Sequence, residues 1–301
     1  MGSSGEGRVK KSILVLINER SRRGEDFKGS DSIVKALRHG EKVPIAYYPE
    51  SVDRMRELIE RHHMEIEAIL IGGGDGTLHA AIASLIKYGL PIGILPMGTA
   101  NDLARTLGIP GDPEDAVRVI LNGKLKAINL GIVNGEYFFN VANIGLGVRV
   151  AKRLSGSAKR KLGIFSYAKS LTDVFRRQRP FRVVIETDDR QLKLKSIQVA
   201  VGNGKFYGGG IAISEDADIS ENGLVLYSLE PKNIWQAAIL GPLFKFGKIK
   251  GVNGITVLHS KKFRISTGRP MKISADGEIV SETPADFGFL PGALNVYVPE
   301  V

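Results

Sequence analysis

The stretch EAILIGGGDGTLHAAIASLIKYG, residues 67–89, constrains the fold more than any other part of the chain. An apolar run enters four glycines set around Asp75, and a sequence of helical period follows at once and closes at Gly89. That is the strand–loop–helix unit of a parallel α/β sheet. Glycines without Cβ atoms are expected to give this loop unusual dihedrals and to bring its N–H groups against phosphate oxygens. The positive end of the following helix would assist. In that setting Asp75 is placed to hold Mg²⁺, directly or through water, and Thr77 to donate a hydroxyl hydrogen bond to phosphate. The bland alternative is an Asp-Gly hairpin turn. It requires a second strand, whereas the next eleven residues have helical period.

The same alternation extends in both directions. SILVLIN (12–18) reads as a buried strand, and Ser30 or Asp31 then caps a helix that stops at Gly40. VPIAYY, a helix after Ser51, and PIGILP complete a parallel sheet covered on both faces, whose ligands bind beyond the carboxyl ends of the strands. Asp112 and Pro113 open a further helix that Gly123 closes. Near residue 127 the pattern changes to short alternating runs separated by turn residues, beginning with a hairpin at Asn134-Gly135, as in an antiparallel sandwich or open barrel. The expected architecture is therefore α/β plus all-β. A parallel-sheet nucleotide-binding domain spans 8–128, with 285–301 returning to it, and an antiparallel β-sandwich-like domain spans 129–284, with the active site in the cleft between them.

A second loop resembles the first. In PIGILPMGTANDLARTLGIP, Gly98 and Thr99 repeat the small-residue and hydroxyl pattern at the end of the next strand. Asp102 alone reads as a helix N-cap, yet two such loops at neighbouring strand ends would line one phosphate-binding crevice.

Composition narrows the chemistry. The 301 residues include no cysteine, which excludes a disulfide framework, a thiolate zinc site and a cysteine nucleophile, and is compatible with a reducing cytoplasm. No apolar run approaches the ~20 residues of a membrane span, and the polar N-terminus lacks the apolar core of a signal peptide, so a cytoplasmic location is expected. The net charge of +10 favours polyanionic partners: nucleic acid, a phosphate-bearing small molecule or an anionic membrane. Eleven Lys or Arg residues against one acid, Asp173, fall within residues 149–182. This stretch is either a solvated basic helix pair or an anion-facing surface. NIWQAAILGPLFKFGKIKG (233–251) suits either core packing or an interfacial amphipathic segment.

GGGDGT (72–77) and PMGTANDLAR (96–105), followed in order by VGNGKFYGGG (201–210), residues 217–226 and ADGE (275–278), resemble the signature blocks of the diacylglycerol kinase catalytic family, especially its bacterial YegS-like lipid kinase branch. The resemblance covers residues 12 to 299. It implies that Gly73, Gly74, Asp75, Gly76 and Thr77 bind the phosphates of ATP, with Gly98, Thr99 and Asn101 in the same nucleotide site. It implies further that Asp276 takes the proton of a lipid hydroxyl as general base and that Glu278 and Asp75 help to hold Mg²⁺. From periodicity alone, KISADGEIVS also reads as a hairpin turning at Asp276-Gly277. An accessory Mg²⁺ site would involve Asp218 and the carbonyl of Leu224. The implied partner is a lipid at an anionic membrane surface, met by reversible peripheral association, rather than nucleic acid. A homodimer is compatible with the sequence, although no residue pattern argues for one.

The sequence departs from the family in three places. In the first loop Asn18 and Ser21 match the family's Asn-Pro-x-Ser-Gly, but Glu19 replaces the proline and Arg22 the glycine, so that Arg20, Arg22 and Arg23 either contact phosphate or face solvent. His79-Ala80 replaces an Asn-Glu pair, and Asn222-Gly223 an Asp-Gly. The altered first loop and His79-Ala80 motivate a second reading, a catalytically silent lipid- or nucleotide-binding regulator. The broader fold group offers a third, an NAD kinase-like enzyme, which the second loop and the order of the blocks disfavour.

Overall fold

The computed structural model describes residues 12–18, 30–148, 179–203, 206–207, 211–212, 223–230 and 254–300. The chain divides into two compact units, Met1–Lys126 with Leu294–Val301, and Ala127–Ala293.

The first unit alternates strand and helix: β1 (Ser12–Ile17), α1 (Ser30–His39), β2 (Val43–Tyr47), α2 (Val52–His62), β3 (Ile66–Gly73), α3 (Asp75–Tyr88), β4 (Ile92–Pro96), α4 (Asp102–Thr106) and α5 (Pro113–Asn122). The strands lie parallel in the order β2-β1-β3-β4, and Val296 of the returning C-terminal segment pairs parallel with Ile92 at the β4 edge. The strand order reverses direction after β2. The helices between the strands pair as α1 beside α5 and α2 beside α3, as right-handed crossovers on both faces of such a sheet would place them. β1 and β3 are buried almost throughout, which is why they read as continuous apolar runs.

Caps set most helix ends. Ser51 accepts the Arg54 N–H, and Asp112 accepts the N–H groups of Glu114 and Asp115, with Pro113 in the first turn. Gly89 ends α3 in the left-handed conformation. At α1 the expected cap is displaced: Ser30 and Asp31 lie inside the helix, and positive φ after its end falls on Glu41. At Gly40 a Cβ would sit 2.4 Å from a terminal methyl of Leu121, which would have to turn away.

Gly123 is a stricter case. A Cβ at this position would lie 2.3 Å from the carbonyl oxygen of Val119 and 2.4 Å from that of Val298, both backbone atoms that cannot rotate away. Gly123→Ala is expected to cost about 3 kcal/mol, read as a lower urea midpoint at unchanged m-value. An unchanged midpoint would show that the last strand does not hold α5 this tightly.

The second unit is antiparallel. Its strands are β5 (Lys124–Val133), β6 (Glu136–Phe138), β7 (Val141–Gly145), β8 (Phe181–Glu186), β9 (Gln191–Ser196), β10 (Gln198–Gly202), β11 (Phe206–Tyr207), β12 (Ile211–Ala212), β13 (Leu224–Leu229), β14 (Ile255–Ser260), β15 (Phe263–Thr267), β16 (Lys272–Ala275), β17 (Glu278–Glu282) and β18 (Ala285–Val298). One sheet runs β14-β13-β10-β7-β16-β17. A second contains β9-β8-β15 and the first half of β18, with the β5–β6 hairpin beside it. A single core joins the two: Phe138, Val183, Ile185, Phe263, Ile265 and Phe287 of one sheet pack with Ile144, Val199, Val201, Leu226 and Ile273 of the other. That face-to-face burial makes a sandwich. Asn134 and Gly135 turn the β5–β6 hairpin with φ of 49° and 89°, as a type I′ turn requires.

Candidate active site

In the first unit, three strand ends are tied together by hydrogen bonds between their loops. Asn18, just past β1, donates its N–H to Gly72 O (2.9 Å) and its Nδ2 to Thr77 Oγ1 (3.1 Å). Met97, just past β4, donates to Gly73 O (2.9 Å). Leu103, in the first turn of α4, donates to Asp75 Oδ1 (3.3 Å). Asp75 opens α3 after Gly74, which sits in extended conformation as the N-cap. Thr77 and Leu78 donate their N–H groups to Gly74 O (2.9 and 3.1 Å), and the positive end of this 14-residue helix lies at the loop.

The glycines act differently from the expectation. Among the described residues neither Gly72, Gly73, Gly74 and Gly76 nor Gly98 has positive φ. At Gly72, Gly73, Gly74 and Gly98 the surroundings crowd a Cβ atom. A Cβ on Gly98 would sit 2.5 Å from Gly74 Cα, one on Gly73 would sit 2.5 Å from Thr77 Oγ1, and one on Gly72 would sit 2.9 Å from the Met97 sulfur. Backbone against backbone fuses the two loops into one surface.

The second loop folds on itself. Asn101 takes left-handed dihedrals (φ 51°, ψ 47°), accepts the Gly98 N–H on Oδ1 (2.9 Å) and returns its Nδ2 to Gly98 O (3.2 Å). The amide of Gly98 is therefore used inside the loop. The N-cap position of α4 is Asn101 rather than Asp102, which lies buried in the first turn. The capping acceptor comes instead from Asp75, distant in sequence. Thr99 and Gly76 are exposed, and Asp75 and Thr77 are half-buried. With Asn18 donating to its oxygen, Thr77 keeps its hydroxyl hydrogen for another acceptor.

In the second unit, Asp276 and Gly277 turn the β16–β17 hairpin with φ of 47° and 97°, so the hairpin reading of this motif holds. The Asp276 carboxylate accepts three consecutive backbone N–H groups, Phe139 on Oδ2 (2.6 Å) and Asn140 and Val141 on Oδ1 (2.9 and 3.2 Å). Its own N–H donates to Val141 O (3.0 Å). Glu278, at the start of β17, is exposed and makes no hydrogen bond or ion pair among the described residues. Asn140 and Asn203, which the motifs did not single out as site residues, are buried beside this hairpin, each with an unpaired side-chain oxygen. In the sequence Asn140 stands as a polar amide inside an apolar run, FFNVAN, and Asn203 falls within the VGNGKFYGGG block.

Several expected positions lie outside the described residues: Ser21 with Glu19, Arg20, Arg22 and Arg23, Asp218, the basic run within 149–178 and the segment 233–251. Leu224 is buried in the sandwich core, in register with Ser260. Among the described residues no group of three or more His, Asp or Glu could enclose a metal ion.

A parallel α/β unit with two fused glycine loops at adjacent strand ends, followed by a β-sandwich with a carboxylate at a hairpin turn, defines the class of two-unit small-molecule and lipid kinases. Residues 12–133 match the diacylglycerol kinase catalytic domain, and residues 140–298 match the YegS C-terminal NAD kinase beta sandwich-like domain. The chain belongs to the diacylglycerol kinase catalytic family, in its YegS-like lipid kinase branch. It is 28% identical over 297 residues to "Probable lipid kinase YegS-like" of Pseudomonas aeruginosa, covering 96% of this chain and 95% of the relative. Two solved chains from Bacillus anthracis strain Sterne share the fold. One, described as a diacylglycerol kinase, has a TM-score of 0.76 at 21% identity and covers 97% of each chain. The other has a TM-score of 0.81 at 24% identity and covers 96% of this chain and 97% of its own. Membership of a kinase family implies ATP as phosphoryl donor. No helix among the described residues is long and apolar enough to cross a membrane.

Proposed function

We propose that the protein transfers the γ-phosphoryl group of MgATP to a hydroxyl of diacylglycerol or a related lipid, met at an anionic membrane surface. The observation that carries this reading is the stitched pair of loops around Asp75, whose carboxylate stands at the N-terminus of α3 and is oriented by the Leu103 N–H. Phosphoryl transfer asks little covalent chemistry of a protein and depends on positioning and charge. The first turn of α3 and Thr77 would receive phosphate oxygens, while Asn18 keeps the Thr77 hydroxyl turned to donate. Asp75 would hold Mg²⁺ together with those oxygens and water. That ion would supply neutralisation of the charge that develops during transfer. Asp276 is assigned the acceptor side, where its carboxylate would take the hydroxyl proton from a position set by three amides.

The test is incubation of the purified protein with γ-labelled ATP, Mg²⁺ and either mixed lipid vesicles containing diacylglycerol or NAD. Label is expected in a lipid product. Label in NAD would replace this reading with the NAD kinase one, and no product across a broad lipid panel would favour a silent regulator.

A further inference from the structure

The sandwich presents an exposed cationic face on its outer side. Side chains alternate along β8 and β9, and Val183, Ile185, Leu192 and Leu194 pack into the core, so Arg182, Val184, Lys193 and Lys195 stand on the opposite face of the sheet. There Arg182 lies directly across from Lys195, and Lys193 across from Val184. Side chains paired in this way have Cβ atoms about 5 Å apart, and like charges at that spacing repel. All three cations are exposed, and among the described residues none of them makes an ion pair or a side-chain hydrogen bond. Glu186 stands on the same face, two residues along β8 from Val184, but it is engaged elsewhere. It accepts a hydrogen bond from Gln191 Nε2 (2.8 Å) and lies across from Arg264, which pairs with Asp286 (3.1 Å). The face is therefore balanced in charge toward the β8–β9 turn and purely cationic at its other end.

Protection of a sheet edge does not account for this. β9 is the last strand of its sheet, where lysines discourage pairing with a further strand. β8 is paired on both sides, by β15 and β9, so Arg182 has no edge to protect. Arg182 also closes the basic run of residues 149–182, and it lies on a strand rather than on a helix.

We propose that Arg182, Lys193 and Lys195 form the face by which the second unit docks on the surface of an anionic bilayer. The inference rests on the lipid kinase reading above, which brings the protein to a membrane, and names the residues that would touch it. Charge complementarity carries it. Lipid phosphates would lie between side chains that otherwise repel, and a sheet face can meet a bilayer without a pocket. None of the residues on this face is aromatic, whereas surfaces that hold single-stranded nucleic acid stack bases on aromatic rings.

Co-sedimentation without ATP tests the proposal, using phosphatidylcholine vesicles with and without phosphatidylglycerol at low and high salt. Wild type is expected to bind the vesicles that contain phosphatidylglycerol and to be released by salt. A cation near an anionic surface contributes about fivefold in affinity, so Arg182→Gln/Lys193→Gln/Lys195→Gln should bind about a hundredfold more weakly. A control with the same change in net charge, Lys124→Gln/Lys261→Gln/Lys262→Gln, should stay within about threefold of wild type. No binding by wild type, a triple variant that binds as wild type does, or a control that loses as much as the triple variant overturns the proposal. So does tighter binding to an oligonucleotide than to the anionic vesicles. Relief of the repulsion should also leave the urea midpoint of the triple variant at or above that of wild type. A clearly lower midpoint would mean that the protein itself satisfies these cations, and the docking face would fall. Sedimentation needs no phosphoryl transfer. Binding lost in the triple variant alone upholds the docking face even if no lipid is phosphorylated, and lipid phosphorylation with binding unchanged leaves the kinase reading standing without it.

Discussion

Asp276→Ala is expected to lose most of the protein's lipid-dependent turnover and, separately, to lower its stability by roughly 3–5 kcal/mol. The stability effect follows from the hydrogen bonds. Removing the carboxylate leaves the N–H groups of Phe139, Asn140 and Val141 without their acceptor, and a hydrogen bond to a charged group contributes about 1.5–3 kcal/mol. Water can reach part of this half-buried site, so the sum is discounted. Alanine also tolerates a φ of 47° less well than aspartate, which adds about 1 kcal/mol. Asp276→Gly removes that backbone penalty and keeps the hydrogen-bond loss, so the difference between the two variants isolates the backbone contribution. Urea denaturation measures both. A midpoint within about 0.5 kcal/mol of wild type for Asp276→Gly would mean that the three amides find other partners.

The second large effect is catalytic. Asp75→Asn should lower turnover about 10³-fold or more while leaving the unfolding midpoint near wild type. Asparagine keeps a side-chain oxygen for the Leu103 N–H, so the tie between the two loops survives. What it lacks is the charge that holds a divalent cation against phosphate. Single-turnover kinetics over a Mg²⁺ titration would check this, and turnover within tenfold of wild type would remove Asp75 from the metal site. Asp75→Ala should lose both functions, and its midpoint should fall by about 1 kcal/mol for the lost hydrogen bond.

Much of the first unit could be read directly from the residues. The strands were visible as apolar runs because a parallel sheet buries both faces, and the caps at Ser51, Asp112 and Gly89 have local causes. The hairpins at Asn134-Gly135 and Asp276-Gly277 were legible for the same reason, since positive φ is a property of the dipeptide. The displaced caps were not legible. Asp102 has the residue type of an N-cap, but a left-handed Asn101 moves the helix start, and the acceptor arrives from residue 75, which no local pattern records.

The GGGDGT loop separates the two kinds of information. Its sequence determined a strand, a break and a helix, because apolar period and absent side chains act over a few residues. It also determined that a carboxylate would stand at a helix N-terminus. Why Gly74 is there was decided only by the tertiary structure. The backbone of this loop lies against that of the next, Gly74 against Gly98, where a single Cβ would overlap a main-chain atom. The same holds for Asp276, whose place in a turn was written in its neighbour, while the three amides that receive its charge come from residues more than a hundred positions earlier. Local backbone preference acts through adjacent bonds and can be read along the chain. Packing and hydrogen-bond partnership act through space and appear only once the chain has folded.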